Sequence, residues 1–244
     1  MKNLFALFLS LIGLSALAAP FNFATDGLCF QNADPGLRRF GPMGQLGSKK
    51  GVCQGMSGIV SAAREHATFQ PTKSKMSAND AYWAMAELRR YHSGGCSLKK
   101  KVKITGYANL QEFCRAHKDL FMANAIDYNA DIAIREIGWN IDEFLIYTDN
   151  AITSLGGRRL MHSHIKTLID HVNEGKWPLL LYYSHVVSIH SVVKTKDKVT
   201  FGLYDSNYAK SIEYTIAYSS DGLPKPGQKM VWNATPDRLT TVCW

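Results

Sequence analysis

The stretch that decides the fold is HSVVKTKDKVTFGLYDSNY, residues 190–208. β-Branched and aromatic residues fill its two arms and turn-forming residues separate them, which is typical of two strands joined by a short turn. A two-residue turn at positions 197–198 sets His190 directly opposite Asp205, and a turn at 196–197 makes them diagonal neighbours on one face. A loop with an odd number of residues would place them on opposite faces. The even-turn registers predict that His190 pairs with Asp205.

The strand pattern continues on both sides of this hairpin. Segments rich in Leu, Val, Ile, Tyr and Thr, with turn residues between them, predict successive antiparallel strands, with one or two more before Trp244. These segments are Trp177–Ser184, Val186–Lys194, Val199–Asp205 and Ile212–Tyr218. On the same even-turn registers His185 falls on the other face from Asp205, so His190 is the better partner.

Apolar residues upstream of the strands recur at helical spacing instead. Helices are expected from Cys53 to about Phe69, from a capping box at Ser77 and Asp80 to Gly94-Gly95, from Asn109 to Tyr147 as two or three helices, and from His164 to Asn173. The first thirty residues after the leader are expected to be irregular. Helices followed by strands predict an α+β fold, with a helical half, a sheet half and a cleft between them.

The N-terminus indicates export. Met1-Lys2-Asn3 is positively charged, residues 4–17 are almost entirely apolar, and Ala16-Leu17-Ala18 has the small residues of a cleavage site. This pattern predicts a signal peptide over residues 1–19 and one mature domain over residues 20–244, either periplasmic or secreted. The remaining sequence has no further apolar stretch of membrane-spanning length, so no stable membrane insertion is expected.

Charge and histidine spacing argue against several other classes of protein. The net charge of +8 is spread along the chain, and the dense run at Lys99–Lys101 lacks the interleaved aromatic residues of a nucleic-acid platform. His162-x-His164 has no third ligand at metal-binding spacing, and Gly156–Arg159 lacks the Gly-Lys-Ser/Thr of a phosphate loop and is expected to be a turn. We therefore expect a monomer without nucleic acid, metal or cofactor.

The five cysteines leave one thiol unpaired in an oxidising compartment. Pairing Cys96 with Cys114 and Cys29 with Cys243 would leave Cys53 free. Sequence does not fix this connectivity, and a fully reduced chain is a further alternative.

Cys53 lies in GVCQGMSGIV, residues 51–60, at the start of a predicted helix. Free amides and the helix dipole stabilise a thiolate at that position. Gly51 and Gly55 would let a substrate backbone approach. The alternative interpretation is a small buried side chain in a glycine-rich helix.

The blocks GVCQGMS, HSVV and YDSNY, in that order, resemble the papain-like cysteine proteases, and most closely the YopT-type branch. The resemblance implies a papain-like fold with Cys53 as nucleophile, His190 as general base and acid, and Asp205 orienting the imidazole. Asn207 would replace Asp205 if the register differs. An upstream amide would serve as oxyanion donor, with Gln45 the first choice and Asn32 the second.

This resemblance implies an exported cysteine peptidase that cleaves protein or peptide amide bonds through an acyl-enzyme. Two alternatives remain open. The same triad order serves transglutaminase-type acyl transfer and cell-wall amide cleavage, and an exported binding domain could keep the fold without catalysis.

Overall fold

The structure is a computed structural model, and it describes residues 21–94, 101–139, 154–182, 185–208, 210–228 and 231–233. The predicted signal peptide at residues 1–19 lies outside these ranges, as do Cys96, Cys243 and residues 140–147 of the predicted helical region. The described chain has an α+β fold, as the order of the sequence patterns predicted.

The helical half comes first along the chain. Its helices are α1 (Phe23–Asp26), a 3₁₀ helix (Pro35–Phe40), α2 (Gly41–Lys50), α3 (Cys53–His66), α4 (Ala78–Gly94), α5 (Leu110–Ala116) and α6 (Lys118–Trp139). Two short strands, β1 (Ala67–Gln70) and β2 (Val102–Thr105), pair in parallel beside them. The predicted cap of α4 by Ser77 is confirmed, since the amide of Asp80 donates to Ser77 Oγ at 3.1 Å, but the Asp80 carboxylate accepts from the Ser77 hydroxyl at 2.7 Å and not from its amide as a full capping box requires.

The sheet half follows helix α7 (Leu155–Asn173). Its strands are β3 (Leu179–Tyr182), β4 (His185–Lys194), β5 (Lys198–Tyr204), β6 (Ser211–Ala217) and β7 (Val231–Asn233), in the spatial order β6-β5-β4-β3-β7. All neighbours are antiparallel, which confirms the predicted strand pattern. Strand β4 packs on α3 and on α7, so the sheet lies between the helical half and α7.

Two local predictions were wrong, and one pair of strands was not predicted. Residues 41–50 form helix α2 where an irregular lead-in was expected. Residues 156–159 belong to the first turn of α7, because Ser154 Oγ accepts a hydrogen bond from the amide of Gly157 at 3.0 Å and so caps the helix. The β1–β2 pair was not foreseen, since strands of four residues are too short to show a period.

One side of α3 is hydrogen-bonded to the backbone of the sheet half. Ser57 Oγ donates to the carbonyl of Val186 at 3.0 Å, and Ser61 Oγ donates to the carbonyl of Trp177. One turn further on, Glu65 Oε1 accepts from the amide of Trp177 at 2.6 Å. Cys53 precedes these residues at the same four-residue spacing, so it lies on the side of α3 that faces the sheet.

The opposite side of α3 packs closely on α6. A Cβ atom added at Gly55 would overlap the carbonyl of Ala125, and one added at Gly58 would overlap the ring of Tyr128. The expectation that Gly55 makes room for a substrate is therefore corrected: this glycine makes room for a neighbouring helix.

A β-bulge in β4 determines which histidine meets Asp205. Thr195 and Lys198 close the hairpin, which places the turn at positions 196–197, one of the two predicted registers. From there Ser191 pairs with Gly202, but Ile189 pairs with Leu203, so His190 is an extra residue without a partner in the ladder.

This extra residue reverses the prediction for the two histidines. A regular ladder would set Ser188 opposite Asp205, whereas Ser188 lies opposite Tyr204 in the structure. A shift of one residue exchanges the two faces of a strand beyond the bulge. The predicted pairing of His190 with Asp205 is therefore wrong, and His185 takes that place.

Gly202 makes the bulge sterically possible. A Cβ atom at this position would overlap Ser191 Oγ and would lie 2.6 Å from His190 Cε1. We expect Gly202→Ala to lower the free energy of unfolding by about 1–3 kcal/mol, the usual cost of overpacking, as measured by urea denaturation.

Gly156→Ala is the matched control, because its added Cβ would have no neighbour closer than Ser154 Oγ at 4.0 Å. Replacing a glycine by alanine inside a helix, at a position with room for the added methyl group, should leave the free energy of unfolding unchanged or raise it slightly. Equal denaturation midpoints for Gly202→Ala and wild type would contradict the role given to Gly202.

Candidate active site

Cys53 is the first residue of α3 and is partly exposed. It is the free thiol among the described cysteines. Two backbone amides, those of Gln54 and Val186, donate to its sulfur. The carbonyl of Val186 also accepts from Ser57. The backbone of this one residue of β4 therefore both holds α3 in place and contacts the sulfur.

His185, the residue before Val186, lies between Cys53 and Asp205. Its Nε2 is 2.8 Å from Asp205 Oδ1, and its ring is also hydrogen-bonded to Cys53. Since Nε2 is engaged by Asp205, Nδ1 is the ring nitrogen left for the sulfur. The Asp205 carboxylate thereby fixes the orientation of the imidazole ring and keeps a ring proton on Nε2.

Opposing effects act on the thiol. Burial raises the pKa of Cys53, but the hydrogen bond and charge of His185, together with the amides of Val186 and Gln54, hold this pKa below its ordinary value. For His185, burial lowers the pKa, but hydrogen bonds to Asp205 and Cys53 and their negative charges raise it to about 9. The hydrogen bond between the two side chains and their opposite charges therefore favour the thiolate–imidazolium form of the pair.

The turn that follows β5 supplies the acceptor for His185. Asp205 is buried, and its Oδ1 also accepts from the amide of Asn207 at 2.8 Å. The side-chain nitrogen of Asn207 lies 3.2 Å from His185 Nε2, so both of the predicted orienting residues contact the same ring nitrogen. Asp205 is the closer of the two.

Tyr182 adds a contact that the sequence did not suggest. Its hydroxyl is hydrogen-bonded to Asp205, and its ring meets the ring of His185 edge to face at 5.7 Å. Burial and the negative charge of Asp205 raise the pKa of the Tyr182 phenol, so the hydroxyl stays protonated and remains a donor.

Asn32 joins the two sides of the site. Its Oδ1 accepts from the amide of Val52, and its Nδ2 donates to Asn207 Oδ1 at 3.0 Å. The backbone amide of Asn32 donates to the carbonyl of Ser206 at 3.1 Å. Gly51 permits this approach, because a Cβ there would lie 2.5 Å from the Asn32 amide. The space at Gly51 is thus occupied by a side chain of the protein itself.

Gln45, the first choice for oxyanion donor, is exposed on α2. Within the described ranges its side chain forms no hydrogen bond, whereas Asn32 contacts the residue before Cys53. The geometry favours the second choice over the first.

A disulfide anchors the segment that carries Asn32. Cys29 is bonded to Cys114 in α5, with the two Cα atoms 5.7 Å apart. The pairing of Cys96 with Cys114 and Cys29 with Cys243 is therefore wrong, although Cys53 remains free as that pairing implied. Connectivity depends on which chain segments meet in the fold, which spacing along the sequence does not reveal.

His190 has a packing role instead. Its ring stacks on Phe21 at 4.9 Å between centroids, and its Nε2 lies 2.7 Å from Ser211 Oγ. Burial lowers the pKa of His190 to about 4, against the opposing charge of Asp26. It is neutral at physiological pH and cannot serve as an imidazolium partner for a thiolate.

Comparison of this chain with known proteins finds no match: no protein-family description, curated protein or solved structure matches it. Among the described residues, no group of three His, Cys, Asp or Glu side chains is arranged to hold a metal ion, and His162 and His164 lie on α7. No helix in the described ranges is long and apolar enough to cross a bilayer.

Alkylation of Cys53 by iodoacetamide should report the ion pair without any substrate. In the wild type we expect the rate to persist below pH 7 and to fall only as the thiolate is protonated. His185→Ala removes the hydrogen bond and the charge that lower the pKa of Cys53 against the effect of burial. It should lower the rate at pH 7 by up to about 30-fold, since an ordinary thiol is only about 3 % ionised there.

His190→Gln is the matched control, because it changes a histidine of the same strand and keeps a polar group near Ser211. Its pH profile should overlay that of the wild type. A loss of low-pH alkylation in His190→Gln, with His185→Ala unaffected, would restore the original pairing and contradict the register described above.

Proposed function

We propose that the protein is an exported cysteine peptidase of papain-like fold, with Cys53, His185 and Asp205 as its catalytic triad. The observation that carries the proposal is the thiol at the start of α3, paired with an imidazole that is itself held by a buried carboxylate. A nucleophile, a base and a group that orients the base are the parts that covalent amide hydrolysis requires.

The reaction would proceed in two steps. The Cys53 thiolate attacks the amide carbonyl carbon, and as the carbon–nitrogen bond breaks, the His185 imidazolium gives its proton to the leaving amine. Water then attacks the thioester while His185 takes a proton from it. The carboxylic acid product leaves, and the thiolate and imidazolium are restored.

The oxyanion formed in each step needs hydrogen-bond donors that are already in place. One donor is the backbone amide of Cys53, which begins α3, because the first N–H groups of a helix have no acceptor within it. We assign the second donor to Asn32, whose side-chain amide lies between Val52 and Asn207. Its Nδ2 has one hydrogen beyond the one donated to Asn207.

The proposal is tested by hydrolysis of casein that carries self-quenched fluorophores, together with mass spectrometry of the protein that carries Cys53. Wild type should release peptides and carry an acyl group on Cys53 during turnover. Capture of that acyl group by added amines would instead indicate transferase activity. Absence of turnover and of labelling by an epoxysuccinyl peptide would indicate a non-catalytic domain.

The base and its orienting carboxylate should differ in effect. His185→Ala should reduce kcat by about 10³-fold or more, because both the proton acceptor and the thiolate partner are lost. Asp205→Asn should reduce it less, since an amide oxygen can still accept from His185 Nε2. A larger loss in Asp205→Asn than in His185→Ala would contradict these roles.

The two candidate oxyanion donors can be separated by matched substitutions. Asn32→Ala should lower kcat by about 10²–10³-fold with little change in KM, the usual result of losing a donor used only in the transition state. Gln45→Ala should stay within about two-fold of wild type, since surface changes of this kind cost little. The opposite order of effects would return the role to Gln45.

A further inference from the structure

A second cleft, of about 320 Å³, opens between helix α4 and strand β2. This volume is at the lower end of the range for small-ligand sites, which is roughly 300–1,000 Å³. None of the residues lining it belongs to the candidate active site. The polar and aromatic groups that line it are Asp80, Trp83, Glu87, Lys103 and Thr105, and Met76 also lines it.

Trp83 is the most unusual of these residues. Its side chain is 62 % exposed, and the adjacent Tyr82 is 53 % exposed, whereas large aromatic side chains are usually well buried. The two rings meet edge to face with centroids 5.4 Å apart, so Tyr82 packs on the indole while much of the indole stays open to solvent. Trp83 thus offers the cleft a broad apolar surface.

Charged groups of both signs surround this surface. Asp80, Trp83 and Glu87 recur at intervals of three and four, which places them on one side of α4. Lys103 and Thr105 alternate on β2, so they point to one face of that strand. The Asp80 carboxylate is partly engaged by Ser77, but the side chains of Glu87 and Lys103 form no hydrogen bond or ion pair with any described residue.

The mixture of charges selects the chemistry of the ligand. An ion of either sign would be attracted by some of these groups and repelled by others, since Asp80 and Glu87 oppose an anion and Lys103 opposes a cation. A neutral ligand with hydroxyl donors, oxygen acceptors and one apolar face would satisfy all of these groups. A pyranose ring has these properties, since its C–H face stacks on an indole while hydroxyls project from its edge.

We propose that this cleft binds a neutral saccharide. The sugar stacks on Trp83, its hydroxyls donate to the carboxylates of Glu87 and Asp80, and its oxygens accept from Lys103 and Thr105. The site is independent of the chemistry at Cys53.

Titration of the mature chain, residues 20–244, with chitotriose, cellotriose and maltotriose tests the proposal. Calorimetry should detect saturable binding of at least one of them at concentrations up to about 10 mM. Trp83→Ala and Glu87→Gln should each weaken that binding about ten-fold or more. Tyr208→Ala is the control, since this aromatic is 51 % exposed but lies outside the cleft, and it should bind as the wild type does.

Absence of binding by all three saccharides, or equal binding by Trp83→Ala and wild type, would overturn the proposal. Preferential binding of choline would also overturn it, in favour of a cation site. The alkylation profile of Cys53 in Trp83→Ala should match the wild type, so failure of the saccharide site remains distinguishable from failure of the proposed peptidase.

Discussion

The arrangement around Cys53 depends on the hydrogen bonds between helix α3 and the backbone of the sheet half. Buried hydroxyls at Ser57 and Ser61 are costly to leave unpaired, so each acts as a specific attachment point and not merely as a filler of space. The attachment at Val186 is the important one, because His185 is the adjacent residue. The distance between thiol and imidazole is therefore fixed by the packing of the two halves.

Electrostatic interactions then determine the protonation and the reactivity of the Cys53 thiol. A buried cysteine without partners has a raised pKa and little reactivity. Here the same burial strengthens the interaction with His185, because charges in a poorly solvated site are weakly screened. The carboxylate of Asp205, hydrogen-bonded by Tyr182 and Asn207, supplies the negative charge that keeps His185 protonated. Each group depends on the next, so removal of one changes the protonation of the others.

Much of the architecture could be predicted from local patterns. The order of helices and strands, the antiparallel hairpin and the helix start at Cys53 each follow from periodicity or turn chemistry, which act over a few residues. Polar residues at every fourth position of α3 (Cys53, Ser57, Ser61 and Glu65) mark the side of the helix that meets the sheet.

The choice between the two histidines could not be predicted in the same way. A regular hairpin is the natural assumption for HSVVKTKDKVTFGLYDSNY, and it favours His190. The bulge arises because a glycine on the neighbouring strand leaves space for His190, a contact between residues twelve positions apart. Pairing of Cys29 with Cys114 is likewise a property of the folded chain, since 85 positions separate the two residues.

The bulge also affects how this site can change in evolution. Substitutions in β4 alter one side chain, but deletion of one residue between His185 and Ile189, with the bulge kept, would turn His185 to the opposite face of the sheet. Deletion of His190 itself, or insertion of one residue opposite it in β5, would instead make the ladder regular and leave His185 facing Asp205. The number of residues between His185 and the bulge is therefore under a stricter constraint than the identity of most of them, and length changes in that part of β4 should be far rarer than amino-acid replacement.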